Sequence, residues 1–147
     1  MDAGRLRALE ATLGHRFADA RLLARALTHA SYAHEHPPEA DQEPLAFVGD
    51  AALGLIVAEW LVAQSPEAPV GVLTPARADV VSGTNLARWA AALDLGGAVR
   101  LGRGEDLSGG RGRESILATT LEAVLGAIYL DAGLDGVRRM VARLAGW

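Results

Sequence analysis

The chain has 147 residues, half of them hydrophobic, with 14 basic and 18 acidic side chains and a formal net charge of −4. This length fits one domain with a sizeable core and excludes an intrinsically disordered protein. The absence of cysteine excludes disulfides and thiolate chemistry, and because every basic residue is arginine, lysine chemistry is excluded too. A protein that coats nucleic acid is usually basic, so non-specific, tight binding of a polyanion is not expected.

The first five residues lack the charged and then apolar pattern of a signal peptide. The longest apolar stretch, residues 51–63, is interrupted by Glu59. It is also shorter than the ~20 residues needed to span a bilayer. We therefore expect a cytoplasmic protein that does not associate with membranes.

Apolar residues recur at three- and four-residue intervals along most of the chain, which predicts helices. In the first half of the chain, the predicted elements are a helix over 5–13 ended by Gly14, a helix over 19–30, a polar connection over 35–44 and a long helix over 44–64. A loop over 65–71 follows, and then a helix that starts at Thr74 and Pro75 and runs past Gly83. The last predicted elements are an irregular glycine-rich segment over 95–113, a helix over 114–131 and a helix over 134–146. The long helix is apolar on every side, which predicts burial on every side. The sequence predicts an all-α fold of five to seven helices.

Two acidic residues, Asp50 and Glu122, lie within strongly apolar helical segments. A buried carboxylate without a partner costs several kcal/mol of folding free energy, so each of these charges needs a neighbouring group that compensates it. A divalent cation shared by both is one solution, and a separate arginine partner or helix-capping role for each is the other. Glu43 lies two helical turns before Asp50, where it either extends the acidic face or is a solvated first-turn glutamate.

The segment 101–114 alternates glycine with arginine just before a predicted helix, an arrangement that either binds phosphate or is a flexible connector. It lacks the Gly-Lys-Ser/Thr of a P-loop. His29, His34 and His36 do not have a standard zinc-binding spacing.

Five segments together resemble the catalytic domain of the ribonuclease III family. They are residues 27–32, 43–54, 101–110, 114–123 and 126–131, and they match in order, spacing and content. The resemblance implies an all-α dimeric domain that hydrolyses double-stranded RNA with bound magnesium. The family's usual double-stranded RNA-binding domain is not found after the last residue, so we expect a single ribonuclease III-like domain over 1–147.

The chain departs from the family at two acidic positions. The family signature Asn-Glu-Arg-Leu-Glu-Phe-Leu-Gly-Asp is matched at Glu43 and Asp50, but Ala46 replaces its second glutamate. In the later motif, Ala-Asp-x-x-Glu-Ala, Glu122 is matched and Thr119 replaces the aspartate. The resemblance implies these roles: Asp50, Glu122 and Glu43 in catalysis, and Asp50, Glu122 and Glu105 in metal binding.

Loss of two anionic ligands lowers the affinity of the site for a cation. Magnesium is often held by only one or two carboxylates together with water and substrate phosphate, so weak binding of Mg²⁺ or Mn²⁺ is expected. Two functions stay open. One is a residual metal-dependent endoribonuclease, and the other is a non-catalytic dimeric module that binds RNA or another protein.

The resemblance also implies a homodimer. Phe47 occupies the position at which the family places an aromatic side chain that enters the partner subunit, and Val48 adds apolar surface beside it. We expect a two-fold symmetric contact through this helix. Because the chain is acidic, we expect its binding to double-stranded RNA to be weak and strongly salt-dependent. The predicted RNA contacts are Arg100, Arg103, Arg111 and Arg113.

Overall fold

The structure, a computed structural model, describes residues 2–147, and in that range it contains nine α-helices, one 3-10 turn and no β-strand. The helices are α1 (Ala3–Leu13), α2 (Ala20–Ala26), α3 (Ala30–Glu35), α4 (Glu43–Gln64), α5 (Val70–Val81), α6 (Gly83–Ala92), α7 (Leu95–Ala98), α8 (Arg103–Leu107) and α9 (Glu114–Ala145), and the 3-10 turn is Gly110–Gly112. The predicted all-α fold is confirmed. The number of helices is larger than predicted because the short helices α3, α7 and α8 are too brief to show a period.

The two longest helices, α4 and α9, form the centre of the fold. Gly49 of α4 and Gly126 of α9 allow their backbones to touch, since a Cβ at Gly49 would overlap the carbonyl of Glu122 and one at Gly126 would overlap the carbonyl of Leu45. Fully buried leucine, isoleucine and valine side chains surround this contact. Each contributes about 1.5–3 kcal/mol by leaving water.

The helix α9 is interrupted at Gly133, whose φ of 71° and ψ of −169° are not helical. The interruption lies between the two predicted helices, 114–131 and 134–146, and it confirms that division. The second segment buries Val137 and Val141 against the core.

The predicted helix over 19–30 is wrong after Ala26, where α2 ends. The backbone that follows bonds to a distant segment instead: Arg100 N donates to Leu27 O, and His29 N donates to Arg100 O. His29 then begins α3, since its Nδ1 accepts a hydrogen bond from Ser31 N at 3.1 Å.

The predicted helix start at Thr74 and Pro75 is also wrong. Helix α5 begins at Val70, and Pro75 lies inside it, in the second turn. A proline there removes one backbone hydrogen bond, which the rest of the helix tolerates. A new helix starts at Ser82, whose Oγ accepts from Asn85 N at 3.2 Å, so Gly83 is the first residue of α6.

The expectation that α4 is buried on every side is wrong. Phe47 is 80% exposed, and Leu55 and Val62 are about half exposed. By length and composition alone, α4 and α9 are long and apolar enough to span a bilayer, a criterion that core helices also meet, whereas the apolar stretch 51–63 by itself is too short. In this structure they contact each other as the core helices of a helical domain.

Candidate active site

Asp50 and Glu122 meet at the point where α4 and α9 approach most closely. Gly49 lies against the backbone of Glu122, and Asp50, the next residue, is close enough for its carboxyl group to interact with that of Glu122. Asp50 is exposed and Glu122 is half-buried. The structure therefore brings together the two acids that the sequence singled out, on one partly open surface.

The pair carries more negative charge than this site favours. Burial is the largest cause, and together with the neighbouring carboxyl group and negative charge of Asp50 it raises the pKa of Glu122 to about 8. Near neutral pH, Glu122 therefore keeps its proton. A divalent cation is the other way to relieve the repulsion, and it would keep both groups ionised.

Ala46 and Thr119 lie one helical turn before Asp50 and Glu122, on the same helix faces. Ala46 is buried and Thr119 is half-buried, so both adjoin the pair. Their side chains are a methyl group and a neutral hydroxyl. The donor set fits a cation held by two carboxylate ligands, with its remaining ligands supplied by water or substrate phosphate.

Neither Glu43 nor Glu105 joins the pair. Within residues 2–147, no group of three or more histidine, aspartate or glutamate side chains is close enough to hold a metal ion. Glu43 is an exposed residue at the first turn of α4, as the alternative interpretation of a solvated glutamate requires. Glu105 lies on α8 and forms an ion pair with Arg113, so its position does not support the predicted role as a metal ligand.

Three of the four arginines predicted to bind RNA are held by contacts within the chain. Arg100 donates to the Thr28 hydroxyl, pairs with Glu39 at 3.4 Å, and stacks over Tyr32 with Cζ 4.6 Å from the ring centroid. Only 15% of its side chain is exposed. Its role is to join the segment before α8 to α2 and α3.

Arg111 and Arg113 likewise stabilise the glycine-rich segment itself. Arg111 pairs with Asp106 at 2.9 Å and donates to Gly96 O at 3.1 Å. Arg113 pairs with Glu105. Among the four, Arg103 alone presents an exposed side chain that forms no ion pair with a described residue.

An uncovered apolar surface adjoins the carboxylate pair. Phe47 lies three residues before Asp50, so the two share one side of α4. With Val48 and Leu55 of α4 and Tyr129 of α9, Phe47 lines a shallow hollow on the surface. We call these four residues the Phe47 face.

Gln42 is a structural residue of the site that the sequence analysis missed. It is 1% exposed, and its Nε2 donates to Ala26 O at 2.7 Å and to Thr120 Oγ1 at 3.2 Å. It therefore fixes the start of α4 against α2 and α9. Glutamine is not a preferred helix cap, so its residue type did not indicate this role. The only feature of the sequence that could have indicated it is that Gln42 occupies the first position of the ribonuclease III family signature.

The sequence profile of the family described as Ribonuclease-III-like matches residues 19–145, a range that includes Asp50 and Glu122. The chain belongs to the ribonuclease III-like family. It is 47% identical over 141 residues to Ribonuclease 3 of Syntrophobacter fumaroxidans, and 50% identical over 136 residues to Ribonuclease 3 of Streptomyces coelicolor. These alignments cover 95% and 92% of this chain but 58% and 49% of the relatives, so this ribonuclease III-like chain spans roughly half the length of the curated proteins it matches.

Two solved structures of the nuclease domain of ribonuclease III from Campylobacter jejuni share the fold. The first has a TM-score of 0.89 and 36% identity, and covers 95% of this chain and 94% of that one. The second has a TM-score of 0.88 and 35% identity, and covers 98% and 94%. The first is described as showing structural flexibility in a region involved in dimer formation of that protein. The fold of this ribonuclease III-like chain is therefore that of a nuclease domain.

Proposed function

We propose that this ribonuclease III-like domain acts on double-stranded RNA in RNA processing, and that its metal-dependent hydrolysis of phosphodiester bonds is weak or lost. The observation that carries the proposal is the Asp50 and Glu122 pair at the contact of α4 with α9, with Ala46 and Thr119 beside it. The scaffold and half of the acidic set are present. The other half of the negative charge is missing.

In the residual-enzyme form of this function, Asp50 and Glu122 would hold Mg²⁺ or Mn²⁺ against an RNA phosphate. Such an ion supplies an activated water molecule and stabilises the leaving oxygen. The chain's own part is to lose the proton of Glu122, to present both carboxylates on one side, and to hold them at a fixed distance through Gly49. With two ligands rather than four, affinity in the millimolar range is expected.

We propose that two copies of the chain associate through the Phe47 face. An aromatic side chain that is 80% exposed among other apolar groups is unfavourable in a free monomer. A two-fold contact lets each Phe47 enter the hollow of the other copy. The Campylobacter jejuni relative, described in terms of dimer formation, supports this assignment.

We expect the domain to bind double-stranded RNA weakly, in the cytoplasm. The chain has 18 acidic side chains and 14 arginines, and three of the four arginines predicted to bind RNA already form ion pairs within the chain. Affinity that rests on few phosphate contacts is low and decreases as salt is added.

The second candidate function is a non-catalytic module that binds RNA or a protein. The observation in its favour is that two of the four acidic positions of the family motifs are occupied by Ala46 and Thr119, which carry no charge. A scaffold that keeps its glycine contact and its exposed apolar face retains what dimerisation and binding require.

A cleavage assay decides between the two functions. Labelled double-stranded RNA is incubated with Mg²⁺ or Mn²⁺ and the wild type, Asp50→Asn or Glu122→Gln. Matched controls are Asp79→Asn and Glu67→Gln, which change exposed carboxylates away from the site. Cleavage that is lost only in the two site variants establishes the residual enzyme.

The opposite results are equally informative. If the wild type binds the duplex but does not cleave it with either metal, the non-catalytic module is the better account. Cleavage that Asp50→Asn and Glu122→Gln leave unchanged would contradict the assignment of the site itself.

A further inference from the structure

We propose that the turn after α1 forms a second binding site, distinct from the carboxylate pair, in which four arginines around Gly14 and His15 bind a compact oligophosphate. Two adjoining hollows share Gly14 and His15. Arg7 and Arg16 line the first, and Arg139 and Arg143 line the second.

The shape of the turn brings the arginines of α9 onto the end of α1. Gly14 ends α1 with a φ of 68°, in the left-handed region that favours glycine. The guanidinium of Arg143 lies directly over it, in the space that a Cβ would occupy. Arg139 lies four residues before Arg143 on α9 and lines the same hollow.

These four charges are not neutralised within the part of the chain that the structure describes. All four arginines are exposed, and none of them forms an ion pair there. Two acids lie nearby, Glu10, which also lines the first hollow, and Asp131, so four guanidinium groups outnumber two carboxylates. Glu10 accepts from Phe17 N at 2.6 Å, and Asp131 accepts from Ala18 N at 3.1 Å and lies 2.8 Å from His15 Nε2.

This concentration of positive charge is opposite to the net charge of the chain. Four guanidinium groups that share one small surface repel one another, and a bound anion removes that repulsion. Guanidinium groups bind phosphate oxygens through two parallel hydrogen bonds, which makes phosphate the favoured anion.

The arrangement in two halves indicates a ligand with more than one phosphate group. Each hollow supplies two arginines, so a di- or triphosphate can contact both, whereas a single phosphate satisfies one. The site uses neither Asp50 nor Glu122 and needs no metal ion, so this proposal can be tested independently of the proposed nuclease function.

Calorimetric titration with inorganic tripolyphosphate tests the proposal, in EDTA and at about 50 mM salt, where screening of charges is modest. We expect Arg16→Gln with Arg143→Gln to weaken binding by about tenfold or more, since each lost guanidinium removes a charge-assisted contact. Orthophosphate should bind more weakly than tripolyphosphate to the wild type. Asp50→Asn should bind like the wild type.

The matched control is Arg5→Gln with Arg88→Gln, which removes the same charge. Arg5 lies on the other flank of α1, and Arg88 lies on α6. Equal weakening in both pairs would mean that only net charge matters, and it would overturn the proposal. Failure of the wild type to bind tripolyphosphate would overturn it as well.

Competition identifies the source of the phosphates once the site is established. A short RNA strand with a 5′-triphosphate and the same strand with a 5′-hydroxyl are each added to the tripolyphosphate complex. Displacement only by the triphosphate strand supports an RNA end as the ligand, and displacement by neither supports a free oligophosphate. Displacement that is the same in the Arg16→Gln, Arg143→Gln variant would place the competing site elsewhere and contradict the proposal.

Discussion

Replacing Glu122 with glutamine removes the proton that the Asp50 and Glu122 pair shares. The pKa of Glu122 is raised from 4.5 to about 8, so between these pH values the folded chain binds a proton that the unfolded chain does not. The free energy of unfolding therefore decreases as the pH rises through this interval. Glutamine keeps the shape and cannot titrate, so Glu122→Gln should lack this part of the pH dependence.

The size of the effect follows from the shift and the exposure of the pair. A rise from 4.5 to about 8 corresponds to roughly 5 kcal/mol at about 1.4 kcal/mol per pH unit. Because Glu122 is only half-buried and Asp50 is exposed, solvent screening reduces this to about 2 kcal/mol. Relative to the wild type, the variant should thus gain about 2 kcal/mol of stability between pH 5 and pH 8.

Urea unfolding in EDTA, at intervals from pH 5 to pH 8, measures this difference. Glu67→Gln is the control, since it changes an exposed glutamate in the loop before α5. A difference between wild type and Glu122→Gln that does not change with pH would refute the shared proton. A variant that becomes less stable than the wild type as the pH rises would refute the sign of the argument.

Four further predictions concern the metal ligands, the metal, the dimer and the RNA. The double variant Ala46→Glu, Thr119→Asp restores the four acids, so it should bind Mn²⁺ more tightly and cleave double-stranded RNA faster than the wild type. Without metal it should be less stable, because the four carboxylates repel one another. A variant that folds and binds metal but cleaves nothing would show that more than the metal ligands has been lost from the nuclease site. Millimolar Mg²⁺ or Mn²⁺ should raise the Tm of the wild type but not of Asp50→Asn, and an equal rise in both would exclude this site. Phe47→Ala should weaken the dimer by about 3 kcal/mol in sedimentation experiments, whereas a wild type that is monomeric at high micromolar concentration would contradict the dimer. Binding of duplex RNA should decrease steeply with salt, and nanomolar affinity at physiological salt would indicate a basic surface other than those described.

Long helices were predictable from the sequence and short ones were not. Helices α4 and α9 carry enough apolar residues for their period to be visible, and the break at Gly133 follows from its residue type. The end of α2 was missed because the backbone after Leu27 bonds to Arg100, a partner 73 residues away along the chain. The start of α5 was missed because the local signal at Thr74 and Pro75 was taken as a helix start, whereas Pro75 lies in the second turn of a helix that begins at Val70.

The candidate site was predictable where charge conflicts with its surroundings. An acid in an apolar helix must have a partner, and this reasoning found both Asp50 and Glu122 and their proximity. It failed for the arginines near the glycine-rich segment, because their ion pairs with Glu39, Asp106 and Glu105 depend on the folded arrangement of loops. For the same reason, no pattern in the sequence indicated that four arginines lie around Gly14.

The position of Phe47 relative to Asp50 links assembly to the chemistry of the site. The two residues lie three positions apart on α4, so a second copy that covered the Phe47 face would also reduce the access of water to that side of Asp50. Exclusion of water strengthens every electrostatic interaction nearby, including the repulsion between the two carboxylates and the attraction of either one for a cation. Dimerisation therefore increases the need for a proton or a metal ion at the pair, while the contact at Gly49 prevents the two carboxylates from moving apart. Four acids at this position would repel one another more strongly and would need more protons or bound cations in the dimer, and Ala46 and Thr119 reduce that need.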